Sequence, residues 1–262
     1  MKVTWCDEFL RPCPVKGRFV DAEGGLDDLP VRIRAARNGF ASVQLLAGPV
    51  GAGDTLRVET TPLRSGRKSQ IKAGDVDVAV LWYRVLDGKA YAEVPVPQTL
   101  VDGSTPAFRK MNAVEDQQHA GFWVDIAVPK NQKPGLYRGE WSVVCGNSAT
   151  SVPVEVEVCR AVIPDEPCLD VSMNNYVDGI SRGWPGLTED PTHLDSARYR
   201  RIERGVFRAA HDHRAFLHYL PYGHSGFVSP YFAPPLKGEG PRKHVADWKK
   251  WDRHFGAYFD GS

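Results

Sequence analysis

The residues best suited to bind a substrate follow two short apolar segments in the last third of the sequence. These segments, 169–174 and 216–220, have the length and composition of buried strands. The candidate substrate-binding residues come directly after them: Asn175, Tyr176, Tyr222 and His224. Amide, hydroxyl and imidazole groups can hydrogen-bond a sugar, and aromatic rings can stack on it. The alternative interpretation is that the asparagine belongs to a turn and the tyrosines pack in a half-buried layer.

The acidic and histidine motifs predict neither a catalytic pair nor a metal site. The adjacent acids Asp165-Glu166 lie in a proline-rich stretch, and Glu189-Asp190 precede a predicted helix, so both pairs are interpreted as solvated. His211 and His213 are two residues apart, and this spacing on a helix directs the imidazoles apart. The five cysteines match no zinc spacing and are predicted to be free thiols. We therefore predict no catalytic residue, no metal and no cofactor.

Helical segments between these strands predict the start of a parallel α/β layer. Residues 191–210 carry an apolar stripe at helical spacing, and residues 245–255 predict a second helix. Tyr258-Phe259 then resembles the start of a third strand. A closed (β/α)8 barrel takes about 250 residues. Segment 169–262 is therefore expected to be a truncated, N-terminal part of such a barrel.

The earlier part of the chain has the period-two pattern of a β-sandwich. Apolar residues alternate with others in segments 121–128, 137–143 and 152–158, and 121–144 resembles a hairpin. One apolar sheet face needs a second layer to cover it. We predict a mainly β, antiparallel sandwich of Ig-like or jelly-roll-like type, followed by the incomplete barrel. The predicted domains are an irregular segment 1–30, a sandwich 31–160, a linker 161–168 and the barrel start 169–262.

Four aromatic residues of the predicted sandwich could form an exposed platform for sugar stacking or could belong to its core: Trp82, Trp123, Tyr137 and Trp141. Core positions are the favoured interpretation.

Charge and hydropathy narrow the classes of partner. The net charge of +1 gives no field for nucleic acid, and no apolar run reaches the roughly 18 residues that span a bilayer. Asp7 and Glu8 lie where a signal peptide would have its apolar centre, so no leader is recognised. The sequence does not indicate the compartment or the oligomeric state.

Several motifs resemble proteins of glycoside hydrolase family 123. The sandwich motifs are RAARNGFASVQLL, FWVDIAVPKNQKPGLYRGEWSV and VPVEVEV, followed by the hinge IPDEP. The motifs of the predicted barrel start are MNNYVDG, AAHDHRA, FLHYLPYG and DWKKWDRHFGAYFDGS. The resemblance covers nearly the whole chain after residue 30.

The resemblance implies a retaining, substrate-assisted exo-β-N-acetylhexosaminidase with galactosaminides as substrates and a glycan or glycoconjugate as partner. In such enzymes the substrate's acetamido group attacks the anomeric carbon, an Asp orients that group, and a neighbouring Glu is the general acid and base. That Asp-Glu pair is expected beyond residue 262, so this chain alone is expected to be inactive. Related enzymes are usually exported. The alternative function is a non-catalytic carbohydrate-binding or structural sandwich module.

Overall fold

The chain folds into two compact units, Met1–Glu166 and Pro167–Ser262. A computed structural model describes residues 1–21, 23–51, 53–100, 114–166, 168–175, 180, 187, 194, 196–219 and 233–260. The described residues are mainly β, in largely antiparallel sheets, with two α-helices whose bounds are given below.

The first unit is a sandwich of two sheets. Its strands are β1 Lys2–Asp7, β2 Pro12–Cys13, β3 Arg18–Phe19, β4 Asp27–Asp28, β5 Val31–Arg37, β6 Gly39–Gly48, β7 Leu56–Glu59, β8 Leu63–Ser65, β9 Ser69–Ile71, β10 Val76–Leu86, β11 Lys89–Pro97, β12 Ala120–Val128, β13 Gly135–Cys145 and β14 Ser148–Val162. The first sheet has the order β11-β10-β12-β6-β1-β4. The second has the order β5-β14-β13-β8-β9, and β7 also pairs with β13. Strands β2 and β3 form a small separate ribbon.

The core of the sandwich consists of the inward-facing residues of both sheets, as the alternation predicted. Along β12, Phe122, Val124 and Ile126 are fully buried, while the residues between them are half-buried. The four valines of β14 at 152, 154, 156 and 158 are buried in the same way. Burial of such side chains contributes about 1.5–3 kcal/mol each, so this alternation stabilises the fold.

The predicted hairpin at 121–144 is wrong, because its two strands lie in different sheets. Strand β12 pairs with β6 and β10, whereas β13 pairs with β14. Both strands bury one face in the same core, so their alternation is identical whichever sheet holds them. Segment 129–134 therefore crosses between the layers. The hairpin in this region joins β13 to β14, with Cys145 opposite Ser148.

The prediction of an irregular segment 1–30 is also wrong. Strand β1 pairs with β6 over six residues, inside the first sheet. The two buried residues of β1, Val3 and Cys6, are three positions apart, so the strand lacks the period-two pattern that predicts strands from sequence.

Tyr83 and Gly121 make a close contact that tests the packing of the first sheet. A Cβ atom at Gly121 would overlap the buried Tyr83 hydroxyl, which has no hydrogen-bond partner among the described residues. Gly121→Ala is expected to lower the free energy of unfolding by about 1–3 kcal/mol through overpacking. The cost should fall in a Tyr83→Phe background, measured by urea denaturation. Gly74→Ala is the control, because open space surrounds that position. An equal cost in both backgrounds would contradict the prediction.

The second unit contains two parallel strands connected by a helix, as predicted. Its elements are β15 Val171–Asn175, α1 Ala197–Asp212, β16 Ala215–Tyr219, β17 Leu236–Lys237, β18 His244–Val245 and α2 Lys249–Asp260. The side chain of Ser196 accepts a hydrogen bond from the Tyr199 backbone N–H and caps α1. Strands β15 and β16 pair in parallel over five residues. No barrel is closed within the described part of the chain.

The third strand predicted at Tyr258-Phe259 is wrong, since both residues belong to α2. Trp251, Phe255 and Tyr258 are spaced by four and three residues, so the apolar stripe of the helix continues through them. Two adjacent aromatic residues alone do not distinguish a strand from such a stripe.

Candidate functional site

The structure places the carboxyl ends of the two parallel strands side by side. Asn175, the last residue of β15, pairs with Tyr219, the last residue of β16. Ligands of open α/β sheets bind outside this edge of the strands. Of the four predicted binding residues, the structure describes the backbone position of Asn175. Tyr176, Tyr222 and His224 lie outside the described residues.

One residue of the acidic pair at the hinge, Asp165, is held by contacts with the sandwich. The Asp165 carboxylate forms an ion pair with Lys130 and accepts a 2.8 Å hydrogen bond from the Asn38 side chain. These contacts attach the hinge to the corners that follow β5 and β12. The other pair, Glu189-Asp190, lies outside the described residues.

A buried carboxylate in α1 is a feature that sequence analysis missed. Glu203 is 0% exposed, and its Oε2 lies 2.9 Å from Nε2 of His254, which is 2% exposed, in α2. The Tyr258 hydroxyl donates a 2.8 Å hydrogen bond to the same oxygen. The apolar stripe predicted within 191–210 consists of Tyr199, Ile202, Val206 and Ala209, and this pattern predicts that Glu203 faces solvent. The signal available in the sequence was its position directly after Ile202, at the margin of that stripe.

The three side chains connect the two helices of the second unit. Glu203 Oε1 is buried, and no described residue forms a hydrogen bond with it. The ring of Tyr199 stacks on the His254 imidazole with 6.3 Å between centroids. A carboxylate in these apolar surroundings is retained only when its partners offset the loss of hydration. The cluster therefore fixes α2 against α1.

The described residues contain neither a cluster of metal ligands nor a helix that could span a membrane. Among them, no three His, Cys, Asp or Glu side chains are grouped to hold a metal ion. None of the described helices is long and apolar enough to span a membrane.

The buried thiol of Cys6 is unsuited to nucleophilic chemistry. Burial, with smaller contributions from the charges of Asp7 and Asp27, raises the pKa of this thiol to about 12. The thiolate is the reactive form, so Cys6 stays protonated and inert near neutral pH.

A cleft of about 480 Å³ opens on the face of the first sheet that points away from the sandwich core. One wall is the N-terminal segment that follows β1, and the other wall is the sheet. The described lining residues most relevant to binding are Glu8, Arg11, Gln44, Tyr91 and Trp123. Ligand sites commonly enclose about 300–1,000 Å³.

The four aromatic residues considered for a stacking platform separate into core and surface positions. Tyr137 and Trp141 are 0% exposed and belong to the core, as the favoured interpretation predicted. Trp82 and Trp123 are half-buried, and Trp123 lines the cleft.

The chain is similar to known proteins in fold and not in sequence. No protein-family model matches the sequence, and no curated protein matches it significantly. A family 123 glycoside hydrolase from Clostridium perfringens, whose structural analysis concerns glycolipid glycan hydrolysis, matches with a TM-score of 0.58 and 12% identity. The match covers 98% of this chain and 45% of that enzyme.

Two further solved structures match less well. The CooA pilin subunit of enterotoxigenic Escherichia coli has 12% identity and a TM-score of 0.32, over 63% of this chain and 100% of the pilin. A Porphyromonas gingivalis W83 protein of unknown function has 14% identity and a TM-score of 0.23, over 54% and 52% of the two chains. TM-scores this low do not indicate a common fold. This chain therefore resembles, in fold, a part of a family 123 glycoside hydrolase and spans less than half of that enzyme's length.

Proposed function

We propose that the chain is the N-terminal portion of a carbohydrate-active enzyme, a retaining, substrate-assisted exo-β-N-acetylhexosaminidase that acts on galactosaminides. The observation that carries the proposal is the fold likeness to the family 123 enzyme over 98% of this chain. A second support is the presence, in the sequence, of motifs that resemble those of family 123 proteins.

The proposed domain organisation is a sandwich followed by the first βα units of a catalytic barrel. The parallel pair β15 and β16, with α1 between them in sequence, is the arrangement with which such a barrel would begin. The catalytic Asp-Glu pair of the proposed enzyme is contributed by residues outside the 262 of this chain.

The proposed substrate-binding residues are Asn175, at the carboxyl end of β15, and three residues that follow β15 or β16 in the sequence. Asn175 ends β15, and Tyr176 follows it directly in sequence, while Tyr222 and His224 follow β16. Their amide, phenol and imidazole groups suit the hydroxyl and acetamido groups of an N-acetylhexosamine.

An activity assay on 4-nitrophenyl N-acetyl-β-D-galactosaminide tests the proposal. The 262-residue chain is expected to show no turnover, and a chain extended downstream through a whole barrel is expected to release nitrophenol. In the extended chain, Asn175→Ala should lower kcat/KM about ten-fold, the loss expected for one hydrogen bond to the substrate. Asn147→Ala, in the turn between β13 and β14, is the matched control. Turnover by the 262-residue chain, or an inactive extended chain, would overturn the proposal.

The alternative, a non-catalytic carbohydrate-binding or structural module, predicts a different outcome in the same assay. Neither chain would hydrolyse the substrate, and the extended chain would still be folded by circular dichroism.

A further inference from the structure

We propose that the cleft on the outer face of the first sheet binds one pyranose unit of a neutral glycan, with Trp123 and Tyr91 as its aromatic walls. This site lies in the sandwich and does not depend on the proposed hydrolase activity. The cleft has the volume of a small-ligand site and combines aromatic walls with a few polar groups, which is the usual composition of such sites.

The indole of Trp123 is held in one orientation before any ligand arrives. Its Nε1–H donates a 2.7 Å hydrogen bond to Oδ1 of Asp125, and the Ser42 hydroxyl donates to the same oxygen. Both partners lie on the first sheet, in β12 and β6. A ring fixed in this way loses little rotamer entropy when a ligand stacks on it.

The second aromatic wall is held by a charged network. The Arg11 guanidinium lies over the Tyr91 ring, 5.7 Å from its centroid, and 3.7 Å from Asp21. Lys89 donates a 2.7 Å hydrogen bond to Asp21, and the Tyr91 hydroxyl donates a longer one of 3.5 Å. The hydrogen bond from Lys89, with the charges of Lys89 and Arg11, lowers the pKa of Asp21. Asp21 therefore stays anionic and keeps the network intact near neutral pH.

Gln44, in the sheet, is hydrogen-bonded to the N-terminal segment that forms the other wall of the cleft. This residue is 4% exposed, and its side-chain nitrogen donates to the backbone carbonyls of Asp7 and Leu10, at 3.0 and 2.7 Å. A primary amide has two N–H groups, so both are committed and Gln44 can offer a ligand its carbonyl oxygen.

The polar lining favours a neutral polyhydroxy ring over an anion. The described lining contains one acidic side chain, Glu8, and one basic side chain, Arg11, and Arg11 already pairs with Asp21. The charges of Glu8 and Arg11 offset each other, so the described lining carries no net positive charge to compensate a phosphate or a carboxylate. A carboxylate, a guanidinium and an amide oxygen together can accept from and donate to hydroxyl groups. The apolar face of a pyranose ring suits the two aromatic walls.

Binding is tested by a ¹⁵N NMR titration of the 262-residue chain with methyl β-D-galactopyranoside, methyl β-D-glucopyranoside and N-acetyl-D-galactosamine, and with D-glucuronate as the anionic counterpart. At least one neutral sugar is expected to shift the Trp123 indole N–H signal saturably. Trp123→Ala is expected to raise Kd about ten-fold or more. Because this variant lacks the indole, its Kd is measured on the backbone amide signals of Gln44 and Tyr91, which also line the cleft. Trp5→Ala is the matched control, because this half-buried tryptophan of the same sheet is not among the residues that line the cleft.

The outcomes separate the proposal from its alternatives. If Trp123→Ala fails to fold, Tyr91→Ala on the edge strand β11 replaces it and is expected to weaken binding in the same direction. No saturable shift with any neutral sugar at concentrations up to about 50 mM would overturn the proposal. Tighter binding of D-glucuronate, or equal weakening by Trp5→Ala, would also overturn it. Because the readout is binding, an inactive extended enzyme would leave this result unchanged.

Discussion

Trp141→Ala is expected to lower the free energy of unfolding of the sandwich by about 3–5 kcal/mol. The side chain is 0% exposed and projects from β13 into the core, with Val152 of β14 as its cross-strand neighbour. Truncation loses the transfer free energy of the indole and leaves a cavity that the rigid sheets on either side cannot close. Hydrogen exchange measured by mass spectrometry, on peptides from β13 and β14, would report the effect in the sandwich itself.

Trp141→Phe separates the contribution of volume from that of the indole N–H. Within the described part of the chain the buried indole nitrogen has no hydrogen-bond partner, so phenylalanine removes a donor that makes no hydrogen bond there. This variant is therefore expected to cost about 1–2 kcal/mol, well below the alanine variant. Trp248→Ala is the control, because that side chain is 52% exposed in the second unit. An alanine variant at 141 that costs no more than this control would contradict the prediction.

The strands of the sandwich were predictable from sequence because burial imposes a period of two on them. The valines of β14 and the apolar residues of β12 follow that period over their whole length. Pairing was not predictable, because β12 and β13 bury their inner faces in one shared core. The Asn38 corner has the same ambiguity: it joins β5 of the second sheet to β6 of the first, although Asn-Gly resembles a hairpin turn.

The cleft was only partly predictable. Trp123 alternates with core residues and was among the candidate stacking residues, but Tyr137 and Trp141 also alternate. Their burial is decided by which face of each sheet turns inward, which the period alone does not state. Arg11 lies in a segment without a periodic pattern, and Tyr91 lies in the edge strand β11, which ends among prolines. Their proximity depends on tertiary contacts that are distant in sequence.

The strand-end position of Asn175 was predictable for a different reason. Parallel strands that alternate with helices have their carboxyl ends at one edge of the sheet. The order of strands and helices in the sequence therefore predicts that Asn175 lies beside the end of the next strand. Glu203 was not predictable, because its burial depends on His254 and Tyr258, which lie more than 50 residues later in the chain.

Glu203→Ala is expected to destabilise the packing of α1 against α2 by about 3–5 kcal/mol. The substitution removes the carboxylate partner of His254 and of the Tyr258 hydroxyl, and both groups then lose that contact in a buried site. Exchange of amide hydrogens in peptides from Ala197–Asp212 and Lys249–Asp260 should accelerate about a hundred-fold or more, since each 1.4 kcal/mol is a factor of ten. Peptides from the sandwich should keep their protection.

A double-mutant cycle distinguishes loss of the interaction between Glu203 and His254 from a simple loss of packing. Glu203→Leu with His254→Leu replaces both polar groups by apolar ones and is expected to recover most of the protection lost in either single variant. Arg208→Ala is the control on the same helix, because this exposed side chain makes a 3.8 Å surface pair with Asp212 and should change exchange very little. Strictly additive single effects, or a Glu203→Ala variant that exchanges no faster than Arg208→Ala, would show that the buried contact does not hold the helices together.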